Sequence, residues 1–260
     1  MSQSTYLHSP LVKAIYKREG ITPLEAIDEF RLINRSLEKD KISYAGRLDP
    51  MADGVLLLLI GDANKHRNDF LSFEKTYRIN VLFGISTDSF DILGMPQVAK
   101  SKNISITDIK KVLDGFKGTF LQKFPPYSSK PVNGRPLFYW AKNGRLDEIE
   151  IPEKERSISS IAIVDTSNIN GGELINKVLE RIKDVQGDFR QQEIADAWAS
   201  LKARIQNDSF QLATIEVSGS SGLYMRQLAV DIGQKLSQYA LAYSITRTHV
   251  GPFTIERKTA

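Results

Sequence analysis

Asp49 lies in Ala45-Gly46-Arg47-Leu48-Asp49-Pro50-Met51-Ala52-Asp53-Gly54-Val55-Leu56, a loop punctuated by glycine and proline that leads into the uncharged apolar stretch Val55 to Ile60. A short apolar run flanked by glycines reads as a buried strand. A carboxylate at the rim of such a strand has rigid support and partial shelter from water, conditions under which it can be tuned as a nucleophile or a base. Taken alone, Asp49-Pro50 is an ordinary turn or N-cap pair. Asp53 follows four residues later, so a carboxylate pair acting on a glycosidic bond is a second chemistry that the spacing permits.

The elements that must hold this loop are legible around it. Thr22-Pro23-Leu24-Glu25 is a capping box with proline at the first helical position. Ala26, Phe30, Ile33 and Leu37 then recur on one face, which predicts an amphipathic helix over residues 23–37. Lys75 to Gly84 alternates, with Tyr77, Ile79, Val81 and Phe83 on one side, and predicts a half-buried strand. A helix over 107–116 carries Ile109, Val112, Leu113 and Phe116. A strand at Thr214 to Val217 passes through Ser218-Gly219-Ser220-Ser221-Gly222 into a helix that buries Leu228, Ile232 and Leu236. Between residues 168 and 207, Ile175, Val178, Leu179 and Ile182 form one helical face and Ile194, Ala197, Trp198, Leu201 and Ile205 another, with Gly187 at the break. That pattern predicts a helical hairpin with mixed charge outside, read first as a packing element. Strands and helices mixed without a βαβ rhythm give an α+β class around a mixed, mostly antiparallel sheet.

At 260 residues the chain can bury a substantial core, and 41% apolar with 25% charged residues is ordinary for a globular protein. No apolar run approaches the roughly 18 residues that span a bilayer, and the N-terminus, polar through Pro10, lacks a signal-peptide core. Without cysteine there is no disulfide framework and no thiolate metal site, and three scattered histidines (His8, His66, His249) do not make a zinc site. No thiolate or zinc centre and no membrane span is therefore expected, and the cytoplasm is the simplest compartment. The net charge of +4 leans modestly toward an anionic partner such as nucleic acid.

The loop around Asp49 resembles the catalytic motif of the TruB-type tRNA pseudouridine synthases (the tRNA pseudouridine-55 synthase family), and further motifs follow in the same order. Lys17-Arg18-Glu19-Gly20-Ile21-Thr22 resembles the opening Lys-Pro-x-Gly-x-Ser/Thr, with Arg18 where proline is usual. Gly61-Asp62-Ala63-Asn64-Lys65 is similar to Gly-Glu-Ala-Thr-Lys, and Lys75-Thr76-Tyr77 to Lys-x-Tyr. Thr87-Asp88-Ser89-Phe90-Asp91-Ile92-Leu93-Gly94 is similar to Thr-Asp-Thr-x-Asp-x-x-Gly. Pro125-Pro126-Tyr127-Ser128-Ser129-Lys130 and Asn133-Gly134-Arg135-Pro136-Leu137-Phe138 come next. Ser221-Gly222-Leu223-Tyr224-Met225-Arg226 resembles Lys-Gly-Thr-Tyr-Ile-Arg, and Thr246-Arg247-Thr248-His249-Val250-Gly251-Pro252-Phe253 the closing Arg-Arg-Thr-x-x-Gly-x-Phe.

The resemblance implies a pseudouridine-synthase catalytic fold spanning residues 1–260 as a single domain, with 168–207 as an inserted hairpin. It implies a short form, since the chain ends a few residues after Phe253 and leaves no room for the C-terminal PUA-type RNA-binding domain of many members. The implied activity is cofactor-free isomerisation of a uridine in structured RNA, uridine 55 of the tRNA T loop, by a monomer that flips the base. A catalytically silent tRNA-folding chaperone on the same fold is the alternative. By resemblance Asp49 is the catalytic carboxylate, Arg226 its partner and Tyr77 the tyrosine that stacks on the base. Tyr224 and Ile245 line the uracil pocket, Lys17 and Gly20 support the catalytic loop, and Lys65 belongs to a phosphate-binding face. Tyr44 stands where the family has a histidine, and its ring can still stack.

Overall fold

The computed structural model describes residues 11–99 and 103–255. Its centre is a 9-stranded sheet. The main path, by hydrogen-bonded neighbours, is β1 (Val12–Lys17), β3 (Ala52–Ile60), β12 (Ala240–Val250), β4 (Lys75–Phe83), β11 (Ser209–Gly219), β10 (Glu153–Asn170) and β7 (Gly118–Lys123). β2 (Ile42–Ala45) adds to β3, and β13 (Phe253–Thr254) to β12. Every pairing is antiparallel except β3 with β12, which meet in parallel over Ala52 to Gly54 and Ile245 to Arg247. Two small hairpins, β5 (Ile85–Thr87) with β6 (Pro96–Val98) and β8 (Pro131–Val132) with β9 (Arg135–Pro136), lie off the main sheet.

β3 reads as an unbroken leucine run because both of its faces are covered. Leu56 and Leu58 pack with Ile21, Ala26 and Ile27 of the α1 region (α1, Pro23–Ile33). Val55, Leu57 and Leu59 pack with Phe70 and Phe73, on and just after α2 (Arg67–Ser72). The capping box on α1 forms as read, with Thr22 accepting from Glu25 N–H and Glu25 reaching back. The helix is shorter than the expected 23–37. It ends at Ile33, Asn34 caps it, and Arg35–Leu37 forms a separate 3-10 turn. The buried face is Ala26 and Ile27, while Ile33 is 84% exposed. The Asn34 amide bonds the Phe30 carbonyl, a local interaction that competes with continued helix.

The alternation of β4 holds. Tyr77, Ile79, Val81 and Phe83 join Ile215 and Val217 in a core that α3 (Ile106–Asp114) and α7 (Met225–Lys235) cover with Ile109, Leu113, Leu228 and Ile232. The short α4 (Leu137–Lys142) buries Leu137 and Trp140. On the opposite side Leu82 and Leu241 meet the helical hairpin, α5 (Gly171–Lys183) and α6 (Gln191–Ile205), through Leu174, Ile175, Val178, Ile194 and Trp198. The expected 168–207 boundary runs slightly wide, since residues 168–170 still belong to β10. That strand and β11 pair to their very ends, Asn170 against Ser209. A turn of a few residues would join such strands, so the pairing of β10 with β11 does not by itself require the hairpin.

Gly54 sits at the parallel crossing with φ +110°, and a Cβ there would lie 2.1 Å from the Arg247 carbonyl oxygen. Conformation and space both demand glycine. Gly54→Ala is expected to cost about 3 kcal/mol or more. A urea midpoint within error of wild type would refute that.

Candidate active site

Residues from segments far apart in the chain enclose a cavity of about 470 Å³, a size suited to a small-molecule-like group such as one nucleotide. Its wall includes the start of α1 (Thr22 to Leu24), the loop Arg47 to Pro50 with Tyr44 beside it, and Ser89, Asp91 and Leu93. It is completed by Tyr127 to Ser129, by Tyr224 and Arg226 at the start of α7, and by Asp188 to Arg190 at the hairpin tip.

Arg226 organises this wall. Its Nε donates to Asp49 Oδ2 at 2.8 Å, one terminal nitrogen to the Ser89 carbonyl at 2.8 Å and the other to the Tyr127 carbonyl at 3.0 Å. Asp91 Oδ2 lies 3.7 Å from Nε on a second side. The guanidinium is thus held between two carboxylates and two carbonyls, the planar fork geometry that arginine supplies and lysine does not. Burial opposes its charge, but Asp49 and Asp91 outweigh that and raise its pKa above the ordinary value. Burial raises the pKa of Asp91, against the pull of Arg226 and the Ser89 hydroxyl. The exposures differ in a useful way. The Asp49 side chain is 32% exposed, against 7% for Asp91 and 4% for Arg226. Asp49 is therefore the more accessible of the two carboxylates to a molecule in the cavity.

The loop bearing Asp49 is pinned from beneath by buried cations. Arg247, 1% exposed, donates to the carbonyls of Val55 (2.7 Å), Gly46 (3.0 Å) and Arg47 (3.3 Å). Lys17 donates to the Ala52 carbonyl at 2.6 Å, and Gly20 N–H to the Pro50 carbonyl at 2.9 Å. Lys75 donates to the carbonyls of Leu71 and Phe73 and to Ser221 Oγ at 3.2 Å. Burial, with Arg247 nearby, brings Lys75 down to about 8 from its usual 10.5. Burial brings Lys17 to about 8 as well, despite Asp49, Asp53 and Glu19. Between these two values the unfolded chain holds protons that the native protein has released, so both groups make stability rise with pH across that window. Lys75→Met is expected to flatten the rise in urea midpoint between about pH 8 and 10.5. An unchanged pH slope in the variant would count against the shifted amine.

The family model described as TruB family pseudouridylate synthase (N terminal domain) matches residues 34–178. The tRNA pseudouridine synthase B of Caldicellulosiruptor saccharolyticus is 32% identical over 240 residues, covering 92% of this chain and 67% of that relative. The chain belongs to the TruB family of pseudouridylate synthases. The Fusobacterium nucleatum enzyme of the same name is 29% identical over 242 residues, 93% of this chain and 68% of the relative. Among solved structures, a Cbf5-Nop10-Gar1 complex superposes with a TM-score of 0.58 at 18% identity over 94% of this chain, a likeness of fold. The chain spans about half the length of that solved chain and about two thirds of the curated relatives.

Placed in this TruB-family fold, the candidate residues divide. Asp49, Arg226, Tyr44 and Tyr224 line the cavity. Tyr224 is held by a reciprocal pair of bonds between its backbone and the Gln122 amide (3.0 and 2.9 Å), and its ring meets Phe124 edge-on at 5.5 Å. Lys17 and Gly20 lie behind the loop, bonded to its carbonyls as above. Tyr77 and Ile245 are not on the cavity wall. Both sit in the apolar cluster with Leu48 and Ala52. Lys65 is 74% exposed, pairs with Asp62 at 2.7 Å, and is likewise not on the wall. Its neighbour Arg67 does reach toward the site, donating to the Tyr44 carbonyl at 3.2 Å. Asp53 bonds the Tyr16 hydroxyl and is not on the wall, so the carboxylate gathered with Asp49 is Asp91. His8 lies outside the described residues. Asp91, Tyr127 and Arg247 acquire roles that motif reading did not assign. Their signal was present in the quoted motifs, but only the fold shows that they converge on Arg226 and on the Gly46–Arg47 turn.

Proposed function

We propose that the chain converts a uridine of structured RNA to pseudouridine, uridine 55 in the tRNA T loop, with Asp49 as the catalytic carboxylate. The carrying observation is the Asp49–Arg226 pair on the wall of a nucleotide-sized cavity, with Asp49 the exposed member. The names of the relatives, tRNA pseudouridine synthase B, supply the substrate class.

The isomerisation breaks the C1′–N1 bond and forms C1′–C5. One proton leaves C5 and one is gained at N1, so the formula is unchanged and no oxidant or reductant is required. Asp49 serves as the anionic group facing C1′ and C6 while the base is detached, and Arg226, 2.8 Å away, orients that carboxylate on the cavity wall. Tyr224 and Tyr44 offer aromatic faces to the nucleotide, and Tyr77, packed against Leu48 beneath the loop, is assigned to the base once RNA closes over the cavity. A uridine within a folded loop does not expose these atoms, so the nucleotide must leave its stack. Recognition then rests on loop shape and backbone, with Arg47, Arg67 and Lys65 as phosphate partners. The chain acts as a cytoplasmic monomer, and no helix of the described residues is long and apolar enough to cross a membrane.

Pseudouridine mapping of an unmodified tRNA transcript, incubated with wild type and with Asp49→Ala, tests this reading. Conversion at the T-loop uridine by wild type alone is expected. RNA binding without conversion by either protein would point instead to the folding chaperone.

A further inference from the structure

The helical hairpin does more than cover the sheet. α6 is tied to the loop after β5, where the Trp198 indole N–H is shared between the carbonyls of Ile92 and Gly94 at 3.1 and 3.2 Å. The tip between α5 and α6 reaches the same loop. Arg190, in left-handed backbone conformation (φ +63°), donates to Asp88 Oδ2 at 2.9 Å. Its guanidinium lies 4.8 Å from the centre of the Tyr127 ring, and the Tyr127 hydroxyl donates to the same Asp88 oxygen at 2.9 Å. The other Asp88 oxygen accepts from Met95 N–H at 2.8 Å.

These are the segments that hold Arg226. Apart from Asp49, its partners are the Ser89 carbonyl, Asp91 and the Tyr127 carbonyl. Ser89 and Asp91 lie between the contact of Arg190 at Asp88 and those of Trp198 at Ile92 and Gly94, and Tyr127 is contacted by Arg190 directly. The tip also braces Asp49 from the other side. Gln186 N–H donates to the Gly20 carbonyl at 2.8 Å, and Gly20 N–H to the Pro50 carbonyl. A Cβ on Gly20 would lie 2.5 Å from the Asp184 carbonyl oxygen, so the tip is seated closely. Arg181 adds two bonds to Glu19 at 2.7 and 2.9 Å. The hairpin is a poor phosphate-binding surface, because residues 171–205 carry six basic and six acidic side chains.

Given the isomerase reading, we propose that Arg190 is a positioning residue for the reaction. Its bond to Asp88 and its stacking on Tyr127 fix the cage of acceptors in which the Arg226 guanidinium is set, and so the placement of Asp49. The family model ends at residue 178, within α5, so the tip that carries Arg190 lies beyond the matched segment.

The test compares full-length wild type with Arg190→Ala and Arg190→Lys by two readouts. One is the steady-state and single-turnover conversion of an unmodified tRNA transcript. The other, independent of activity, is the arginine Nε–H NMR signal of Arg226, which its bond to Asp49 should protect from exchange. In Arg190→Ala, kcat is expected to fall about 10- to 100-fold with KM within about threefold, and the Arg226 Nε–H signal to shift and exchange faster. Arg190→Lys, which keeps a charge beside Asp88 but loses the planar group over Tyr127, falls between Arg190→Ala and wild type in both readouts. If Arg190→Ala does not fold, Arg190→Lys decides, because loss of the planar stack should still shift the Arg226 signal. An unchanged Arg226 signal and kcat overturns the proposal, and so does a rise in KM alone, which would make Arg190 an RNA contact. A wild type that converts no RNA refutes the isomerase reading, while the NMR comparison still decides whether Arg190 sets Arg226.

Discussion

Asp49→Asn is expected to lower uridine conversion by at least about four orders of magnitude while leaving RNA affinity within a few-fold of wild type. The substitution is nearly isosteric, so cavity shape survives. It removes the negative charge, which a neutral amide cannot supply to a reacting C1′. The affinity forecast follows from the exposure pattern. Asp49 occupies one point of a cavity whose other walls are Tyr44, Arg47, Tyr127 and Tyr224, and those are untouched. Single-turnover conversion and filter binding on the same transcript separate the two quantities. Conversion within tenfold of wild type would remove Asp49 from the chemistry, whereas loss of binding would recast it as a recognition group.

Arg226→Met should be costly twice. Activity falls because Asp49 loses the partner that holds it. Stability falls because Asp91, 7% exposed, is left with only the Ser89 hydroxyl and the Leu93 N–H. Breaking a buried ion pair from one side costs roughly 3–5 kcal/mol. The pH dependence identifies the cause. Burial already raises the pKa of Asp91 in the folded protein, and removing the guanidinium raises it further. A carboxyl whose folded pKa lies above its unfolded value is most compatible with folding when protonated, and that compatibility is lost as pH rises through the folded pKa. Arg226→Met should therefore recover part of its deficit on going from neutral to mildly acidic solution. Urea midpoints for both proteins at roughly pH 5 and 7.5 measure this. A deficit equal at the two pH values would place the cost in lost packing and not in the Asp91 charge.

Much of this protein was written locally. The Thr22–Glu25 capping box, the continuous run of β3 and the alternation of β4 depend on residues within a few positions of each other, and each formed where its pattern lay. The hairpin was likewise visible as two apolar faces separated by Gly187. The misjudged end of α1 was also a local matter, since the Asn34 side chain offered the Phe30 carbonyl an alternative that hydrophobic spacing does not register. Asp49, Arg226, Tyr44 and Tyr224 could be named from motif order, because each is embedded in a distinctive run of neighbours.

What the sequence alone did not determine is which charges share a site. Asp53 is four residues from Asp49 and turns to Tyr16, while Asp91 is far off in the chain and meets Asp49 through a single guanidinium. Lys65 pairs in solvent with Asp62, off the cavity wall. Tyr77 and Ile245 have the types of a pocket lining, yet the register of β4 and β12 puts them in the apolar cluster. A side chain's direction on a strand follows from the pairing of the whole sheet, and long-range ion pairs follow from which loops that sheet brings to one edge. The sequence by itself determined the family, most of the elements and the carboxylate proposed to react. Only the tertiary structure decided that Arg226 sits between two aspartates and that the helical hairpin contacts the segments carrying its remaining partners, because a charge buried far from its partner in sequence is stable only where the completed fold supplies that partner.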